Sequence, residues 1–173
     1  KCVGSLDTWV RAKGMMPVGL AVNVIIHVLK ALQKAHFFEV VHRDIKPHNI
    51  LISQDGEIKL ADFGLAMTAF ASQSITKTNA LLGSIQFMSP EQRNDPTTVK
   101  KRADIYSVAV SLVWMLEGKT IGDLYVDDTI EQLRKKYPKD VVDVIAKAGK
   151  RKPEERYSSA KEMLDALEAI YPT

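Results

Sequence analysis

The run His42-Arg43-Asp44-Ile45-Lys46-Pro47-His48-Asn49, with Asp62-Phe63-Gly64 downstream, sets a carboxylate, an ammonium, a carboxamide and a second carboxylate in a fixed order. That order suits phosphoryl transfer. Such chemistry asks for a carboxylate at the attacking hydroxyl, oxygen ligands for magnesium and positive charge beside the moving phosphoryl group. Asp44 is placed to accept the hydroxyl proton, and Lys46 can reach the transferred phosphate. Asn49 offers magnesium a neutral oxygen and Asp62 a charged one, both hard donors of the kind this cation takes. Gly64 permits backbone angles denied to other residues, and Phe63 is expected to pack inward and orient Asp62. His42 reads as a residue packed under the loop rather than a proton carrier. His27 and His36 read as packing or surface residues. The four histidines and the one cysteine show no zinc spacing.

These residues need elements to hold them. Ser5 is a suitable N-cap for a short helix from Leu6 to about Lys13, with Gly14 as its stop. A second helix is predicted after Pro17, because Val22, Ile25, Ile26, Leu29 and Leu32 keep helical spacing. Asn49-Ile50-Leu51-Ile52 and Ile58-Lys59-Leu60 read as strands joined around Asp55-Gly56, a hairpin signal. The stretch 65–90 is rich in Ser and Thr and has no clear period, which predicts a long functional loop. Arg102 to Leu116 is apolar on nearly all faces and predicts a buried central helix ended by Gly118. Val141, Val142, Val144, Ile145 and Ala148 suit a further helix. Ser159-Ala160-Lys161-Glu162 is a capping box opening a last one, with Met163, Leu164, Leu167 and Ile170 on its apolar side. The expected class is mainly α with one or two small hairpins.

The bulk numbers agree with a single globular domain. A chain of 173 residues buries about 70% of its unfolded surface. Its 46% hydrophobic and 26% charged residues exclude a disordered or fibrous class. The net charge of +3 is mild. Basic clusters at Lys100-Lys101-Arg102, Arg134-Lys135-Lys136 and Lys150-Arg151-Lys152 have no interleaved aromatics, so solvated helix ends are expected rather than nucleic-acid contacts. Cys2 alone allows no internal disulfide and suits a reducing, cytoplasmic setting. No apolar run is expected to span a bilayer, and the stretch Ile105 to Leu116 is too short. Lys1 is not an initiator methionine, so a start processed or truncated upstream is expected.

On His42 to Asn49 and Asp62-Phe63-Gly64, the chain resembles the eukaryotic-type Ser/Thr protein kinases, and most closely their bacterial members. The resemblance runs over residues 1–173 and is to the C-terminal lobe of that fold, a helical bundle with small β-hairpins. It implies ATP and magnesium as cofactors and a protein as substrate. Val3-Gly4-Ser5-Leu6 looks like the hinge exit, and Leu51 would form part of the adenine floor. Residues 62–91 would be the activation segment, closing on Gly83-Ser84-Ile85-Gln86-Phe87-Met88-Ser89-Pro90-Glu91-Gln92. Lys46 and Ser84 look like a Ser/Thr rather than a Tyr pattern. Asp104 resembles the residue that binds catalytic-loop backbone. Arg156, in Lys152-Pro153-Glu154-Glu155-Arg156-Tyr157, resembles the arginine that pairs with the glutamate at position 91. Arg43 implies regulation by loop phosphorylation, since its guanidinium needs a counter-charge that a phosphate supplies. Ser72, Ser74, Thr76 and Thr78 are candidates, with Thr76 and Thr78 first.

The resemblance also implies what this sequence does not contain. No glycine-rich phosphate loop, strand lysine or partner glutamate precedes His42, so the N-lobe half of an ATP site is absent from residues 1–41. Ala109 stands where the family's central helix usually has glycine, and Gly118 to Asp140 lacks the usual Pro-Pro-Phe-like segment. Three readings follow: a fragment of an active kinase, a non-catalytic binding or scaffold module, or a lobe completed by another chain.

Overall fold

The computed structural model describes residues 2–63 and 83–172. Pro17, with φ −56°, stands at the N-cap of the second helix. The short α1 spans Leu6–Lys13 and the long α2 spans Val18–Phe37. Ala21, Val22, Ile25, Ile26, Leu29 and Leu32 lie along α2 and are wholly buried. Burying each such aliphatic side chain contributes roughly 1.5–3 kcal/mol, so this stripe fixes the helix in the middle of the molecule. By length and composition α2 is apolar enough to cross a bilayer, a test that the core helix of a globular domain also passes. Its apolar face is spent on packing against two other helices of the domain.

Those neighbours are α4 (Lys101–Glu117) and α7 (Ala160–Ile170). Every residue of α4 from Ala103 to Leu116 is buried, as its all-round apolarity predicts. Gly118 ends it in the left-handed region at φ 68°, its N–H donating to the Trp114 carbonyl. A β-carbon is disfavoured in that conformation, hence glycine. Helix α6 (Lys139–Ala148) bridges α4 and α7, and α5 (Asp127–Arg134) packs on α6. Helix α5 was not legible in the sequence; it is held by Leu124 and Leu133, which lie deep in the core. At the start of α7 the Ser159 hydroxyl accepts from the Glu162 N–H at 3.1 Å. The reciprocal half of the expected capping box differs. The Glu162 carboxylate accepts from the Ser158 N–H and hydroxyl instead.

One end of the bundle carries a three-stranded antiparallel sheet in the order β1-β2-β3, formed by Cys2–Ser5, Ile50–Ser53 and Ile58–Leu60. Ile50 faces Leu60, Leu51 faces Lys59 and Ile52 faces Ile58. Gly56, at φ 80°, makes the turn. The unexpected strand is β1, which pairs Gly4 with Ile52 and Ser5 with Leu51. Its sequence has no alternating pattern, and the free edge of β2 recruits it. Asn49 is not in the strand. It ends a 3-10 turn over Pro47–Asn49 that packs under α1.

Candidate active site

Asp104, in the first turn of α4, is 1% exposed and anchors the loop before the sheet. Its Oδ2 accepts from the His42 N–H at 2.9 Å and its Oδ1 from the Arg43 N–H at 2.8 Å. His36, at the end of α2, places Nε2 2.8 Å from the same carboxylate. Helix α4 and helix α2 thus grip one turn of loop from below. That turn is tight, with Arg43 at φ 69°, and beyond β3 Asp62 takes a similar φ of 61°. Non-glycine residues hold such angles only where surrounding contacts over-determine them.

The His42 hydrogen bonds fix its tautomer. Nδ1 accepts from the Asp44 N–H at 3.2 Å, and Nε2 lies 2.7 Å from the Ala61 carbonyl, so Nε2 carries the hydrogen. A fully buried ring with both nitrogens engaged is a spacer between loop and sheet. Phe63 lies against that ring with centroids 4.5 Å apart. It is 38% exposed, so it stacks at the margin rather than packing inward as expected.

Above this base the reactive groups converge. Asp44 Oδ2 accepts from Lys46 Nζ at 2.8 Å and from Asn49 Nδ2 at 2.9 Å. Asn49 Nδ2 also donates to the Asp44 carbonyl at 2.7 Å. Lys46 Nζ donates in addition to the Ser84 hydroxyl at 2.8 Å, joining the loop to the chain before α3 (Pro90–Asn94). Asp44 is therefore held on one oxygen by an ammonium and a carboxamide, and its Oδ1 takes no hydrogen bond among the described residues. Asn49 turns its nitrogen to Asp44, and its side-chain oxygen takes no hydrogen bond among the described residues. The Ala61 N–H donates to the Asn49 carbonyl at 2.8 Å, which sets Asp62 next in line. No group of three or more His, Cys, Asp and Glu side chains suited to a metal occurs among the described residues. Two hard oxygens without a protein cage fit magnesium, which keeps waters and relies on substrate phosphates.

A second set of contacts ties α3 to the loop and to the later helices. The Arg156 side chain is 0% exposed and meets Glu91 through Nη1 and Nη2 at 2.7 and 2.8 Å. Burial works to raise the Glu91 carboxyl, but the Arg156 hydrogen bonds and charge, with a backbone N–H, hold it below its ordinary value. Gln92 Nε2 donates to the Arg43 carbonyl at 2.6 Å. Arg43 Nη1 is buried with no hydrogen-bond partner among the described residues. Leu51 lies half-buried in the middle of β2. Gly64, Ser72, Ser74, Thr76 and Thr78 lie outside the described residues.

Sequence reasoning missed His36, Gln92 and Ser107. Ser107 donates to the Phe87 carbonyl at 2.7 Å from inside α4; a serine within an otherwise apolar helix was the available signal. The basic clusters are largely taken up locally. Lys101 pairs with Glu39, Arg134 with Glu131 and Asp143, and Lys136 with Glu117.

Residues 2–171 match the family described as protein kinase domain. The chain belongs to that family. It is 36% identical over 171 residues to the serine/threonine-protein kinase PrkC of Bacillus subtilis, covering 92% of this chain and 26% of that protein. It is 40% identical over 179 residues to the serine/threonine-protein kinase PknL of Mycobacterium tuberculosis, covering 96% of this chain and 44% of the relative. The chain thus spans less than half the length of these kinases. Among solved structures it resembles Rad53 in complex with AMP-PNP, with a TM-score of 0.72 over 94% of this chain and 43% of that one, at 23% identity. That likeness shows the protein kinase fold.

Proposed function

We propose that this chain is the C-terminal lobe of a Ser/Thr protein kinase that moves the γ-phosphate of ATP to a protein hydroxyl. The observation that carries this reading is the Asp44-Lys46-Asn49-Ser84 cluster, in which one carboxylate oxygen is tied and the other takes no hydrogen bond among the described residues. Asp44 Oδ1 would accept the substrate hydroxyl proton, and Lys46 would hold its charge beside the group in transit. Asn49 and Asp62 would hold magnesium, which supplies charge neutralisation on the phosphates when bound. Leu51 would lie under the base, and the adenine and phosphate contacts above it would come from an N-lobe in the same protein. The work of the lobe is positioning and electrostatics, for which a loop latched by a buried carboxylate is suited.

Arg43 supports regulation on the same site. A guanidinium nitrogen buried without a partner among the described residues favours an incoming anion. Phosphorylation at Thr76 or Thr78 would supply it. A cytoplasmic, reducing location belongs to the same reading. The test is transfer from Mg-ATP to a protein substrate by the longer protein that contains this segment. Asp44→Asn is expected to lower the rate by about 10²–10⁴-fold. Undiminished transfer would remove Asp44 from the chemistry.

A further inference from the structure

The far end of α2 carries a surface that the catalytic loop does not use. Phe37 and Phe38 are 79% and 74% exposed, with their rings edge to face at 5.2 Å. Both border a cavity of about 680 Å³ between the end of α2, the start of α4 and the first turn of α7. That volume is in the range of pockets that seat a ligand. Val40, two residues on, is also exposed.

Cations line this cavity, with carboxylates standing beside two of them. Lys34, Lys101 and Lys161 line it, and no carboxylate does. The opposing carboxylates sit outside the lining: Glu39 meets Lys101 at 2.6 Å and Asp165 meets Lys161 at 2.7 Å. Lys34 makes no ion pair among the described residues. Surface pairs of this kind are worth little, so another anion can replace either partner. His36 forms part of the wall. Its side chain is over nine-tenths buried, with Nε2 on Asp104 and Nδ1 without a partner among the described residues. The site therefore combines exposed aromatic area with cations.

We propose that this face docks an acidic peptide segment of a partner protein. One apolar side chain of the peptide would sit in the cavity against Phe37 and Phe38, and its carboxylates would meet Lys34, Lys101 and Lys161. The paired rings of Phe37 and Phe38 offer more apolar area than a small anion covers, which favours a peptide. The inference does not rest on the kinase reading, since no residue of the Asp44 cluster takes part.

The test is a randomised dodecapeptide library selected against the immobilised chain. The enriched peptides should carry Asp and Glu around one large apolar residue. A synthetic peptide from that set should bind at least about tenfold more weakly to Phe38→Ser and to Lys34→Glu, as for an anchor residue at an interface. Both side chains are exposed, so thermal melts should match wild type. Leu20→Ser, near the opposite end of α2, should bind the peptide as wild type does. Three results would overturn the proposal: no enrichment, enrichment of peptides lacking acidic residues, or equal binding by all variants. So would an empty selection together with partition of the chain onto phosphatidylserine vesicles that Phe38→Ser abolishes, since the face would then be lipid-directed.

Discussion

Replacing Arg156 with alanine should be among the most damaging single changes in this chain. All five guanidinium N–H groups are used: two on Glu91 and one each on the carbonyls of Arg102, Lys150 and Arg151. The guanidinium also lies 5.1 Å from the centre of the Tyr106 ring. Removing it leaves three carbonyls and a carboxylate without their donor. Breaking a buried pair from one side costs about 3–5 kcal/mol, and that is the loss expected in urea melts followed by tryptophan fluorescence. Glu91 is 26% exposed at its side chain, so water relieves part of its loss. Glu91→Ala should therefore cost less, about 1.5–3 kcal/mol for charge-assisted bonds. Arg156→Lys should recover little, because an ammonium cannot make the paired bonds of a planar fork. The double mutant should lose less than the sum of the singles, and strictly additive losses would refute the coupling. The effect also has a pH signature. The Glu91 carboxyl is held below its ordinary 4.5 in the fold. A depressed carboxyl stabilises fully above its unfolded value, and that contribution fades as pH falls through the folded one. The stability gap between wild type and Glu91→Gln should thus be widest near neutrality and close in strong acid. A gap that widened on acidification would reverse the sign and sink the argument.

Asp104→Ala should cost at least about 3 kcal/mol, since it strips charge-assisted bonds from two loop amides. Hydrogen exchange at His42 and Arg43 should rise with it, and unchanged protection would show that the loop is held elsewhere. Gly149→Ala should destabilise by about 1–3 kcal/mol. An added Cβ would overlap the buried Leu124 and stand 3.1 Å from the Ile145 carbonyl oxygen. A neutral result in thermal melts would mean that α5 shifts freely. The 173-residue chain alone should transfer no phosphate from Mg-ATP, because positioning supplies most of the catalysis and residues 1–41 contain no phosphate clamp. Transfer to a protein substrate by the purified chain would overturn this.

Most of the helices, and the grouping of Asp44, Lys46 and Asn49, were legible in the chain alone. Asp44, Lys46 and Asn49 are close in the chain, so one turn of backbone brings them together whatever surrounds it. The periodic runs of α2, α6 and α7 and the all-apolar α4 announce their own burial. What the tertiary structure decided are the contacts between distant segments. Lys46 meets Ser84, His36 and the loop share Asp104, and Gln92 reaches the Arg43 carbonyl. None of these has a local period or spacing to betray it, because each depends on how α2, α3 and α4 cross. Strand β1 and helix α5 belong to the same class. Their own propensities are weak, and they form because a free strand edge and an uncovered apolar core were left for them. The cavity beside Phe37 and Phe38 likewise exists only where three helix ends meet, each of which reads as ordinary surface on its own.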